Sequence, residues 1–120
     1  MSNSVVTPQM IETRLRDLSR EVDQSHKDLA DAETQYFKIK AQYELALAHG
    51  RLSLAGKQDM KLTVSDKADM ALVSAEELHM KMATVEALVR AARANASRIR
   101  TQVDIARSIG TSVRTSMDLS

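Results

Sequence analysis

The feature that most constrains this chain is a counted period in its C-terminal part. Leu78, Met82, Val85, Val89, Ala92, Ala96, Ile99, Val103, Ala106, Gly110, Val113 and Met117 follow one another at alternating steps of four and three. A 3.5-residue spacing belongs to a supercoiling helix, and its apolar seam has to be buried against another helix. The partner is in the same sequence. Ile11, Leu15, Leu18, Val22, Ser25, Leu29, Ala32, Tyr36, Ile39, Tyr43 and Ala46 keep the same alternation. Small residues on the second seam, among them Ala92, Ala96, Ala106 and Gly110, suit close approach to Leu18, Leu29 and Tyr36 on the first.

Punctuation sets the expected boundaries. Residues 1–7 read as a flexible tail, and Thr7 before Pro8 is a helix start, since the hydroxyl can accept an orphan N–H and proline lacks one that was not needed. The first helix is predicted over 8–49, with Gly50 suited to a left-handed cap. A connector over 50–73 follows, with a turn at Gly56 and Lys57 and a short helix over 64–72. The spacing of Thr63 and Asp66 opens that helix as a capping box. A second box, Ser74 to Glu77, opens the long helix predicted over 75–117. With one Pro, three Gly, no Trp, one Phe and two Tyr, there is little material for turns or a thick core. The expected fold is all-α: residues 8–120 form one antiparallel helical hairpin, coiled-coil-like, with a short connector helix. A lone hairpin has little interior, and the aliphatic connector with Leu88, Ile105 and Ile109 provides extra contact surface, so self-association is expected.

Net charge is only +1, but it is segregated. From Ala87 onward six Arg face two acids, Asp104 and Asp118. Arg93, Arg100, Arg107 and Arg114 recur every seven residues, a row with neighbours about 10.5 Å apart. A register in which paired numbers sum to about 126 sets Glu12 against Arg114 and Glu33 against Arg93 as structural ion pairs. It sets Ser19 opposite Arg107 and His26 opposite Arg100, which leaves these two guanidinium groups without acids and suited to a phosphate backbone. A second basic group, Lys38, Lys40, Arg51, Lys57, Lys61 and Lys67, lies near the connector, diluted by Glu44, Asp59 and Asp66. It reads either as a solvated face or as a further nucleic-acid contact through Lys38, Lys40, Arg51, Lys57 and Lys61. Tyr36 and Tyr43 fall on the seam, whereas Phe37 lies just off it and is the better base-stacking candidate.

Other chemistries find no support in the residues. Cys is absent and His26, His49 and His79 are scattered, so neither a disulfide nor a metal motif is expected. No nucleophile–base arrangement or glycine-rich phosphate loop can be named, so neither catalysis nor a cofactor is expected. No window approaches a membrane span, and the N-terminus has no export signal. A cytoplasmic location is the expectation.

Lys40-Ala41 with Tyr43-Glu44, the run Met60-Lys61-Leu62-Thr63-Val64-Ser65-Asp66, and the run from Thr101 through Gln102, Val103, Asp104, Ile105, Ala106 and Arg107 to Ser108 carry a resemblance. Over roughly residues 30 to 115 the chain resembles the UvsY-like recombination mediators of phages and a wider set of small helical phage recombination accessory proteins. The resemblance implies a homo-oligomer, a ring of helical hairpins, that binds single-stranded DNA, contacts single-strand-binding protein and helps load a recombinase in the host cytoplasm. Lys40 matches a basic position of the mediators, while Gln42 stands where a second basic residue is expected. Two other classes remain open from the residues themselves: a helical host-defence antagonist that binds a protein or a nucleotide, and a structural coiled-coil assembly module.

Overall fold

A computed structural model describes residues 5–55 and 63–119. Three helices account for nearly all of them: α1 (Pro8–Ala55), α2 (Val64–Ser74) and α3 (Glu76–Leu119), with no strand among the described residues. The fold is all-α, and α1 runs antiparallel to α3. The expected turn at Gly56 and Lys57 lies outside the described residues.

Both seams lie where the spacing puts them. Every seam position of α1 is buried or half-buried, and on α3 only Met117, in the last turn, is exposed. The helix starts also follow the sequence. Thr7 Oγ1 accepts from the Met10 N–H at 3.2 Å. At α2, Thr63 Oγ1 accepts from the Asp66 N–H at 3.0 Å while the Asp66 carboxylate accepts from the Thr63 N–H at 3.2 Å, a reciprocal capping box.

Two boundaries differ from expectation. Gly50 does not cap α1, which continues to Ala55; no described glycine has a positive φ. A Cβ at Gly50 would stand 3.1 Å from the Ala71 Cβ and 3.3 Å from its Cα, so the glycine serves close helix approach instead. Nor do Ser74 and Glu77 form a capping box. Ala75 donates to the Ala71 carbonyl at 3.1 Å and its own carbonyl accepts from His79 at 2.9 Å, so the backbone ladder runs through the junction and leaves little for a cap to satisfy. Ser74 Oγ turns back to the Ala71 carbonyl at 2.8 Å. Thus α2 belongs to the returning arm rather than to a separate connector.

The chain divides into two compact units. Unit 1 joins residues up to Leu29 with those from Ala91 onward, and unit 2 comprises Ala30–Arg90. In unit 1, Leu18, Ile99 and Ala106 form the buried core, with Leu15, Val22 and Val103 packed against it. Ser25, the one buried polar side chain among the described residues, satisfies itself by donating to the Val22 carbonyl at 2.8 Å. Val5 and Val6, assigned to the tail by sequence, line a groove with Ile109, Val113 and Met117. In unit 2 the buried side chains are Leu54, Ala71, Ala75 and Val89.

Candidate nucleic-acid interface

The helix register decides which charges meet. In unit 1, Ile11 faces Gly110, numbers that sum to 121; in unit 2, Tyr43 faces His79 and Gly50 faces Ala71, sums of 122 and 121. Seam sums of 121 set the residues just beyond the seam opposite one another at the expected sum of 126, so Glu12 lies beside Arg114 and His26 beside Arg100. Close approaches at Gly110 and Gly50 select the observed register, because a larger residue at either position would collide with the facing helix.

Within that register one expected ion pair does not form. Arg114 donates through Nε to the Gly110 carbonyl at 3.4 Å, and no ion pair joins it to Glu12, although Glu12 lines the same concavity as Arg107 and Arg114. Glu33 and Arg93 each have a partner.

Arg100 and Arg107 stand on the exposed edge of α3 in unit 1, about two helical turns apart along one row. They border a groove of about 380 Å³ lined also by Val22, Ser25, His26 and Ala96. His26 and Arg100 thus share a wall, as expected from the sequence, while Ser19 is not part of it. Among the described residues neither guanidinium takes an ion pair or a side-chain hydrogen bond. Their neighbours do. Arg90 holds Glu86 at 2.8 Å, Arg98 holds the Asn95 amide oxygen at 2.9 Å, and Arg14 reaches across to the Gln102 amide oxygen at 3.0 Å and to Glu21 at 3.7 Å.

One participant is not among the residues that the sequence pattern singles out. Asp104 lines the groove between the two arginines, four residues after Arg100 and three before Arg107. That spacing places it on their side of the helix and is visible in the sequence. It is exposed and, among the described residues, pairs with neither arginine.

The second basic group is not one patch. Lys38, Lys40 and Arg51 lie on α1 in unit 2, and Lys57 and Lys61 lie outside the described residues. Lys38 and Lys40 are two residues apart, hence about 200° apart around the helix axis. Lys40, half-buried, shares a face with Arg51 eleven residues on, but Glu44 stands between them. Phe37 is exposed and meets Tyr36 edge-on at 5.4 Å, whereas Tyr36 and Tyr43 are half-buried, Tyr43 against the His79 ring at 5.3 Å. The aromatic candidates therefore belong to a different unit from Arg100 and Arg107.

Among the described residues no group of three or more His, Asp or Glu side chains is placed to hold a metal ion. No described helix is long and apolar enough to cross a membrane. No family model matches the chain, no curated protein matches it, and no solved structure matches its fold.

Proposed function

We propose that this protein is a non-catalytic DNA accessory, a recombination mediator of the phage type, that binds single-stranded DNA and assists recombinase loading as a homo-oligomer. The observation that carries the reading is the contrast along α3. Arg100 and Arg107 are exposed and make no ion pair or side-chain hydrogen bond among the described residues, while Arg90, Arg98 and Arg114 are each engaged locally. An unengaged guanidinium has all five N–H donors to offer a phosphodiester, and neutralising phosphates releases condensed counterions. Because the aromatic candidates lie in the other unit, the contact at this groove is to the backbone rather than to stacked bases, and sequence preference there is weak. The resemblance in Lys40-Ala41, Tyr43-Glu44 and the run Thr101 to Ser108 supports the same reading.

Titration of a fluorescent single strand at two salt concentrations tests it. Binding that weakens as salt rises, with a log–log slope of about −0.7 for each phosphate neutralised, is expected. Binding that is absent, or indifferent to salt, overturns the proposal.

A further inference from the structure

Unit 2 has a second set of apolar positions on the back of each arm. On α1, Ala41, Leu45, Ala48 and Leu52 alternate by four and three and lie about 160–200° around the axis from the inner seam of Ile39, Tyr43, Ala46 and Gly50. All four are exposed, Leu45 at 59% and Leu52 at 73%, and Phe37 at 60% stands beside them. On the returning arm, Val73, Met80, Ala83 and Ala87 occupy the corresponding back, again all exposed. A helix with one seam completes a pair. Helices with two opposed seams need neighbours on both sides.

Charge chooses between the ways of pairing those backs. Asp69, Glu76 and Glu77 lie on the back of the returning arm, and among the described residues only Glu77 is answered, by Lys81 at 3.4 Å. Lys38 and Arg51 flank the α1 back, against the single acid Glu44. A returning arm set against a copy of itself would oppose acid to acid. Set against α1 of another copy it meets net positive charge.

We propose that the protein self-associates by a heterologous contact in unit 2, the α1 back of one copy (Ala41, Leu45, Ala48, Leu52) packing against the α2–α3 back (Val73, Met80, Ala83, Ala87) of the next. Each copy then contributes two different faces, and the contact repeats from copy to copy. The proposal does not rest on DNA binding, and its test contains no DNA.

Charge reversal on the full chain reads it by sedimentation. Lys38→Glu with Arg51→Glu makes both faces acidic, and Asp69→Lys with Glu76→Lys leaves neither face acidic. Each double variant alone should associate at least about tenfold more weakly than the parent, as like charges then meet. An equimolar mixture should regain alternating association, because each variant's altered face fits the other's. Far-UV helicity checks that the variants fold, and the milder pair Lys38→Gln with Arg51→Gln should weaken association in the same direction. A parent that is monomeric at about 100 μM, far above the Kd typical of specific complexes, overturns the proposal. So does an α1 reversal that leaves association unchanged, or a mixture that recovers nothing.

Discussion

The two units bury different things and leave different things outside. Unit 1 closes on large side chains, Leu18 and Ile99 with Ala106 between the arms, and displays unengaged arginines along its edge. Unit 2 closes largely on small ones, Ala71 and Ala75 with Leu54 and Val89, and leaves Phe37, Leu45, Leu52, Val73 and Met80 in solvent. One seam pattern runs through both, so the period fixes which face is buried but not how much that burial stabilises. Exposed apolar side chains occur in both units, Met10, Ile105 and Ile109 in unit 1 among them, but in unit 2 they stand opposite the inner seam on both arms and call for a second layer.

The largest expected effect breaks the contrast at its core. Leu18 is fully buried, so Leu18→Ala should lower unfolding free energy by about 2–5 kcal/mol. Leu54→Ala in unit 2 should fall at the low end of that range, since the side chain keeps slight exposure and sits next to the last residue of α1. Urea melts of both variants measure the difference. Equal losses would mean that the two cores are equally well packed.

Function supplies the next test. Arg100→Ala with Arg107→Ala should leave the melting curve nearly unchanged, because neither guanidinium has a local partner to lose. The same double change should flatten the salt slope of DNA binding by about 0.7 for each phosphate no longer neutralised. Arg114→Ala should do the reverse, with a small stability change from removing its hydrogen bond to the Gly110 carbonyl and an almost unaltered slope. If the inner pair proved silent in the slope, the DNA site would lie elsewhere, with Lys40 and Arg51 the next residues to vary.

Much of this architecture was legible in the sequence because helix periodicity and burial are the same physical fact. Leu18, Ser25, Val89, Ile99 and Ala106 all fall on counted seam positions and all are buried. Register was not legible from the seam alone, since two heptad seams slid past each other by a heptad still present apolar residues to apolar residues. The charges beside the seam carried it: flanking numbers that sum to 126 go with the observed seam sums of 121, and close approaches at Gly50 and Gly110 fit that register. The Ser74–Glu77 box failed for a different reason. Its spacing is right, but a continuous ladder through Ala75 left few orphan donors for it to cap.

The glycines sharpen the comparison of units at a smaller scale. Alanine in a helix interior is favoured over glycine by about 0.8–1 kcal/mol. At Gly110 a new Cβ meets only the Ile11 Cγ2 methyl at 3.0 Å, the end of a side chain that can shift. Gly110→Ala should therefore come out within about 0.5 kcal/mol of neutral, propensity offsetting crowding. At Gly50 the same Cβ meets the Ala71 Cβ, the Ala71 backbone at 3.3 Å and the Ser74 hydroxyl at 3.4 Å, so α2 itself would have to move. Gly50→Ala should destabilise by about 1 kcal/mol despite its better propensity. Thermal melts of the two variants should move apart, and a Gly50 variant as stable as the parent would show that α2 yields to α1 readily.

The smallest effect concerns the acid inside the basic groove. Asp104 stands between Arg100 and Arg107, pairs with neither among the described residues, and is exposed to solvent. A phosphate drawn to the two arginines would approach this carboxylate as well, and at a separation of one Debye length, about 8 Å at physiological salt, the repulsion is only partly screened. Asp104→Asn keeps the side chain's shape and removes the charge. Single-strand affinity should then rise about two- to fivefold at low salt, a gain of less than about 1 kcal/mol that fades as salt increases. Stability should hardly change, since surface substitutions away from caps and ion pairs fall within about 0.5 kcal/mol. The sign carries the information. If DNA lies in this groove, neutralising Asp104 must tighten binding while neutralising Arg100 and Arg107 loosens it, and an Asp104→Asn variant whose affinity matches the parent at low salt would place the strand outside the groove even if the arginines mattered.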